Sequence, residues 1–232
     1  MTNIGIIGAG NVGSTLAKRL SDLGHHVKIA NSRGPTTLRS VADQTGAKAV
    51  TLPEVVQDVQ IIVIAIPEKN IPLLKPSMFR AIAPNTVIVD AGNYYPRQRD
   101  GRIAAIEQGT PESCWVEAQI GRPVVKAFNN VHPDVLMRIA ASAGDLHRVA
   151  LPVAGDDVAA KKAVMCLIKQ LGLDAVDAGS LAESWRQQPG SPAYLTDLDA
   201  VALRDALINA TSIRMDKWTA TPDSPGSFVS PA

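Results

Sequence analysis

The chain has 232 residues, a formal charge of +1 and 46% hydrophobic residues, the proportions of an ordinary globular protein with enough length to bury one good core. A charge so balanced speaks against a general nucleic-acid binder, which carries a basic surplus, and no apolar run approaches the ~20 residues that cross a bilayer. The two cysteines, Cys114 and Cys166, stand far apart and outside any CxxC or Cys/His cluster, so neither a disulfide framework nor a metal site is expected. The N-terminus has no basic region followed by a long apolar stretch, and the expected setting is the cytoplasm.

Strand-like and helix-like patterns alternate from the start. Asn3 to Gly8 reads as a short apolar strand, and Asn11 to Leu23 as a helix with Val12, Leu16, Leu20 and Leu23 on one face. Gly24 stops that helix, and His26 to Ala30 is a second strand. Thr36 to Thr45 predicts a helix, Ala47 to Val50 a short strand, and Pro53 to Asp58 a short helix opened by proline. Gln60 to Pro67 is continuously apolar, as a strand covered on both faces must be. A helix follows within Ile71 to Ala83, then strands at Thr86 to Asp90 and Pro123 to Ala127, with a loop and an irregular helix between them over residues 94 to 120.

The second half predicts a strand at Arg148 to Ala154, and then a helix from Asp156 to Leu171 with Val164, Leu167, Ile168 and Leu171 on its apolar face. A short strand at Asp174 to Asp177 and a longer helix from Ala193 to Trp218 complete it. The pattern implies an α/β chain with a doubly wound, mostly parallel sheet of Rossmann type and a small C-terminal α/β portion. Residues 1 to 145 form the dinucleotide-binding domain in this reading, and residues 146 to 218 the smaller portion packed on it. The tail from 219 to 232, rich in Pro, Ser and Thr, has little to bury and reads as mobile.

Gly8-Ala9-Gly10-Asn11-Val12-Gly13 is a GxGxxG turn between a strand and an amphipathic helix, the context in which that pattern has a mechanism. Gly8 permits the tight turn, Gly10 lets a pyrophosphate approach the backbone, and Gly13 lets the helix lie close on the strand. The helix start then offers unpaired N–H groups and a positive dipole end to phosphates. At the end of the second strand an NAD-binding chain carries Asp or Glu. Here Asn31-Ser32-Arg33 stands instead: Ser32 can donate a hydroxyl, and Arg33 can donate bidentately to a 2′-phosphate. Further strand ends, Ile66-Pro67 and Gly92-Asn93, should face the same crevice, with Gly92 admitting a ribose and Asn93 bonding a ribose hydroxyl or a carboxamide.

Several blocks together give the chain a family resemblance. They are IGIIGAGNVGSTLAKRL (Ile4 to Leu20), the NSRGP turn, IVIAIP (Ile62 to Pro67), VVKAFNN (Val124 to Asn130), and the GDD-to-DAG block from Val153 to Ser184. The chain resembles NADP oxidoreductases related to deazaflavin-dependent NADP reductase, and its first domain is similar to that of pyrroline-5-carboxylate reductases. The resemblance implies NADP(H) as cofactor, with a flavin or deazaflavin as second substrate. It implies a small-molecule acceptor, no nucleic-acid or membrane partner, and a homodimer as the plausible assembly. By this resemblance Ser32 and Arg33 hold the 2′-phosphate, Gly8 to Gly13 the pyrophosphate, and Ile66, Pro67 and Ala127 line the cofactor.

Hydride transfer to a flavin-like acceptor needs little beyond positioning of two rings, whereas a carbonyl or imine substrate needs a proton donor. His132, just after VVKAFNN, is the candidate catalytic group, with a helix-capping role as its alternative; Tyr94 and Tyr95 are further candidates. Lys126, inside an apolar strand, reads as an ion-pair or edge residue. Asp156 and Asp157 read as helix caps, and His25, His26 and His147 as residues without chemistry. The leading expectation is an NADPH-dependent oxidoreductase passing hydride to a flavin, deazaflavin or other small acceptor. The rivals are a non-catalytic NADPH-binding module and a small-carbonyl or imine reductase.

Overall fold

The computed structural model describes residues 1–139 and 148–232; His147 and the expected domain boundary at 145/146 lie outside them. The chain runs β1 (Asn3–Ile7), α1 (Asn11–Asp22), β2 (His26–Ala30), α2 (Arg39–Thr45), β3 (Lys48–Ala49), α3 (Leu52–Val55), β4 (Ile61–Ile64), α4 (Pro76–Arg80) and β5 (Val87–Asp90). It continues with α5 (Ala104–Glu107), α6 (Glu112–Ile120), β6 (Val125–Lys126), α7 (Pro133–Ile139), β7 (Ala150–Val153), α8 (Val158–Gln170), β8 (Asp174–Asp177) and α9 (Ala200–Ile208). Six strands pair in parallel in the order β3-β2-β1-β4-β5-β6. That is the doubly wound order, in which direction reverses between β1 and β4 and opens a crevice beyond their carboxyl ends.

Alternation within the strands builds a core on each face. Ile61, Val63 and Val89 face one side with Leu16 and Leu20 of α1, while Ile62, Ile64 and Ile88 face the other with Phe79, Val116 and Ile120. The C-terminal portion shares the first core. Leu151 and Val153 of β7, and Val164, Leu167 and Ile168 of α8, pack into it, and the Arg19 guanidinium of α1 donates to the Leu171 carbonyl. β7 and β8 form a parallel pair, and β7 meets β6 through one antiparallel bridge, Lys126 with Ala154. The edge of the Rossmann sheet and the smaller portion are thus joined by backbone hydrogen bonds, Lys126 N to Ala154 O at 2.8 Å and Ala154 N to Lys126 O at 3.1 Å.

Two stretches differ from expectation. Ala193 to Trp218 is not one helix: only Ala200–Ile208 is helical, with a single tight turn at Asp216–Trp218. The stretch before it is claimed by other partners. The Ala193 carbonyl accepts from Asn130, the Leu198 carbonyl accepts from the Ala150 amide of β7, and Leu195 takes a positive φ of 50°. Asp199 then caps the helix that does form, its carboxylate accepting from the Val201 and Ala202 amides. The segment from Thr219 to Ala232, read as mobile, lies instead against the loop after β5. Arg97 donates to the Thr219 carbonyl, its own carbonyl accepts from the Gly226 and Ala232 amides, and Phe228 packs edge-on to Tyr95 at 5.5 Å.

The acidic pair before α8 acts as two caps rather than one. Asp157 accepts from the Ala159 and Ala160 amides at 2.8 and 3.0 Å, while Asp156 reaches across to the Leu181 amide at 3.0 Å. We expect Asp157→Ala to cost about 1 kcal/mol of stability, measured as a lowered urea midpoint at unchanged slope.

Candidate functional site

Three glycines of the first turn meet three different surroundings. Gly8 has φ +115°, and a Cβ there would lie 2.2 Å from the Ala65 carbonyl oxygen at the end of β4. A Cβ at Gly13 would lie 2.1 Å from the Gly8 carbonyl, so this glycine lets α1 sit down on the turn. At Gly10 a Cβ would meet nothing within 4 Å. Packing requires Gly8 and Gly13, whereas no protein neighbour accounts for Gly10, and the open space faces the start of a twelve-residue helix. Gly10 caps α1 without a side-chain hydrogen bond, and no acid occupies the first turn. The amides of Asn11, Val12 and Gly13 therefore keep the anion-binding capacity of a helix start.

The turn after β2 is shaped by Asn31. Its carboxamide oxygen accepts from the Arg33 amide at 2.9 Å, and its nitrogen donates to Thr37 at 3.0 Å. Thr37 in turn donates to the Gly34 carbonyl at 2.8 Å. The Asn31 side chain is thus spent on the turn, which leaves Ser32 and Arg33 exposed at its tip.

At the other strand ends the expected cofactor residues have protein neighbours of their own. Ile66 and Pro67 are partly buried where β4 ends. Gly92 is buried, and a Cβ on it would lie 2.5 Å from Glu68 Oε1 and 3.0 Å from Asp90 Oδ1; its small size makes room for two carboxyl groups. Asn93 is engaged with Asn129, donating to its carbonyl at 2.7 Å and accepting from its side chain at 3.1 Å. Ala127 is wholly buried in the core, so its methyl group is not on the crevice wall.

The proton-donor candidates are separated in the same way. His132 is exposed, its ring accepting from the Asp134 amide and lying 3.4 Å from the Asp134 carboxylate, which is the capping geometry at the start of α7. Tyr94 is a core residue: its hydroxyl hydrogen-bonds the Gly101 carbonyl and Glu107 and accepts from the Ile103 amide, and burial holds its ionisation well above the usual range. Tyr95 belongs to an aromatic group with Tyr194, Trp218 and Phe228, its hydroxyl bonded to that of Tyr194. His25 bonds the Thr2 amide and Gln170 as a structural residue, and His26 is exposed.

What the sequence did not reveal is a buried polar cluster under the crevice. Lys126, wholly buried, donates to Asp90 at 3.0 Å and to the Gly92 carbonyl at 2.7 Å. Asp90 also accepts from Ser113 at 2.7 Å and from the Gly92 amide at 2.9 Å. Burial works against the Lys126 charge, but the neighbouring carboxylates, Asp90 first and then Glu112, outweigh it and hold the ammonium above its usual range. Glu112, buried in α6, pairs with Arg214 at 2.8 Å and accepts from the Tyr94 amide. Beside these groups the Asn129 carboxamide donates to the Gln187 carbonyl and accepts from the Gln187 side chain. The signal available in the sequence was a lysine within an apolar strand; nothing adjacent in sequence points to Asp90, Glu68 or Arg214 as its companions.

A parallel sheet of order 3-2-1-4-5-6 with a glycine turn after its first strand and an uncapped helix start defines a dinucleotide-binding oxidoreductase fold. Residues 3–94 match the model of the family described as NADP oxidoreductase, coenzyme F420-dependent. The crystal structure of the hypothetical protein SMa0349 from Sinorhizobium meliloti is 32% identical, with a TM-score of 0.71 over 86% of this chain and 96% of that one. Residues 3–94 thus carry the domain of this NADP oxidoreductase family, and over most of its length the chain is a relative of SMa0349. A protein of Arthrobacter sp. FB24, described provisionally as an F420-dependent NADP-reductase, shares the fold at 23% identity, with a TM-score of 0.63 over 79% and 87% of the two chains. The Escherichia coli K12 protein YjhV is 47% identical over 60 residues, a stretch that spans 26% of this chain and 44% of YjhV.

Two substitutions separate packing from binding in the glycine turn. Gly13→Ala should cost about 1–3 kcal/mol through overpacking, read from urea unfolding. Gly10→Ala should leave the unfolding midpoint unchanged and weaken dinucleotide binding. For the buried pair, Lys126→Met leaves Asp90 without its cation and should cost about 3–5 kcal/mol, read in the same unfolding assay.

Proposed function

We propose that the chain binds NADP(H) along the glycine turn and the Asn31–Arg33 tip, and transfers hydride between it and a small planar acceptor, a flavin or deazaflavin. The observation that carries this reading is the space at Gly10, which no protein atom claims, beside an uncapped helix start and an exposed Arg33. In this reading the amides of Asn11, Val12 and Gly13 receive the pyrophosphate. Ser32 and Arg33 receive the 2′-phosphate, in a turn that Asn31 holds open by hydrogen-bonding the Arg33 amide.

NADPH supplies the hydride; the chain supplies orientation and a dry surface. Asn93 and Asn129 tie the ends of β5 and β6 together. Tyr95, two residues beyond Asn93, packs with Trp218 and Phe228, and the Arg99 guanidinium lies 4.9 Å from its ring centre. The candidate acids favour an acceptor that needs little proton donation: Tyr94 is enclosed in the core, and His132, itself exposed, caps α7.

Charged hydrogen bonds to phosphate contribute about 1.5–3 kcal/mol each, so Arg33→Ala should weaken NADPH binding by about 10- to 150-fold and leave NADH binding unchanged. Equal losses for both cofactors would reject Arg33 as the 2′-phosphate ligand. Stopped-flow oxidation of NADPH against flavins, deazaflavins, quinones and imines tests the acceptor. We expect turnover with the flavin-like members and none with imines. Tight NADPH binding without any turnover would make the protein a binding module, and turnover of imines that is lost in His132→Ala would make it an imine reductase.

A further inference from the structure

Glu68 follows directly on Pro67, at the end of β4, and its side chain is wholly buried. Neither carboxyl oxygen has a hydrogen-bond partner. One of them, Oε1, occupies the position that a side chain on residue 92 would need, with Asp90 Oδ1 on the other side of the same gap. Glu68 thus stands between two strand ends, Ile66-Pro67 and Gly92-Asn93, and fills the space that the glycine leaves.

The surrounding charges are already matched without it. Asp90 is paired with Lys126, Glu112 with Arg214, and Asp100 with Arg99. A charged Glu68 would add a carboxylate with no cation of its own, in a place where desolvation is severe. An uncharged one avoids that penalty and sets no second negative charge beside Asp90. We propose that Glu68 is a positioning residue, an uncharged acid wedged between the ends of β4 and β5, and that this wedge sets the spacing of the crevice that receives NADP(H).

The groups facing it fit that role. Burial, then Asp90, and beyond these Glu112 and Asp100, push its ionisation well above the usual carboxylate range, and Lys126 opposes them. Ionisation of Glu68 sets it against Asp90, whose carboxylate holds the Gly92 amide, and drives the two strand ends apart. The sign follows from where the proton is held. The folded chain keeps a proton on Glu68 that the unfolded chain releases, so the associated stability is present at low pH and is lost as pH rises through the raised ionisation.

This inference rests on the NADP(H) reading for its ligand, and its test separates the two. Infrared difference spectra of wild type against Glu68→Gln at neutral pH should show a protonated-carboxyl band in the wild type that the variant lacks. NADPH affinity, measured by fluorescence titration, should match in the two proteins at neutral pH. On raising the pH the wild type should lose up to about tenfold per unit above the ionisation, and Glu68→Gln should show no such loss. Glu68→Ala, which removes both the wedge and the titrating group, should bind NADPH more weakly than wild type at neutral pH; if it does not fold, the comparison of wild type with Glu68→Gln decides. Absence of the band overturns the proposal. So does an alkaline loss shared by Glu68→Gln, or wild-type affinity in a folded Glu68→Ala. A wild type that binds no NADPH at any pH overturns the cofactor reading as well.

Discussion

The Lys126–Asp90 pair holds the far half of the site together. It is wholly buried, and its two partners come from the adjacent strands β6 and β5. Through it the end of β5 is fixed twice, because Asp90 accepts from the Gly92 amide while Lys126 donates to the Gly92 carbonyl. A buried ion pair is not by itself a source of stability. What this one supplies is direction: the chain leaves β5 through a backbone unit with both polar groups held, which sets where Asn93 and Tyr95 stand. Lys126 also carries, through its own amide and carbonyl, the one antiparallel bridge to Ala154. The same residue thus joins the buried charges, the strand end and the C-terminal portion.

Those contacts divide the crevice into two halves of different character. On the side of β1 and β2 the surface is made of free amides, exposed hydroxyl and guanidinium groups, and space. On the side of β5 and β6 the side-chain amides of Asn93 and Asn129 are bonded within the protein. The first half has capacity for a polyanion. The second offers a rigid, shaped surface with aromatic neighbours, suited to holding a ring in place.

The sequence made most of the fold legible because the strands announce themselves locally. Ile61 to Ile64 is apolar at every position, as a strand with both faces covered must be, and Val164, Leu167, Ile168 and Leu171 fall on one face of α8 and are all buried. The glycine turn was readable for the same reason, since its meaning lies within six residues. The long C-terminal helix was misread: its periodic leucines gave no hint that the Ala193 and Leu198 carbonyls are taken by Asn130 and β7. The buried cluster was illegible for a related reason. Glu68, Asp90, Glu112, Lys126 and Arg214 lie on five separate segments, and only the folded topology brings them together. Gly92 shows the limit clearly: its size was legible, but the carboxyl groups that demand it were not.

The margins of the sheet set how this protein can meet other copies of itself. On one side the last strand, β3, has only two residues, one of them Lys48. On the other, β6 is equally short and its outer edge is already occupied by Ala154. Long, unpaired edges are the templates on which sheets extend from molecule to molecule, and short or covered ones deny that route. Self-association of this chain therefore finds no long backbone ladder to extend at either margin of the six-stranded sheet.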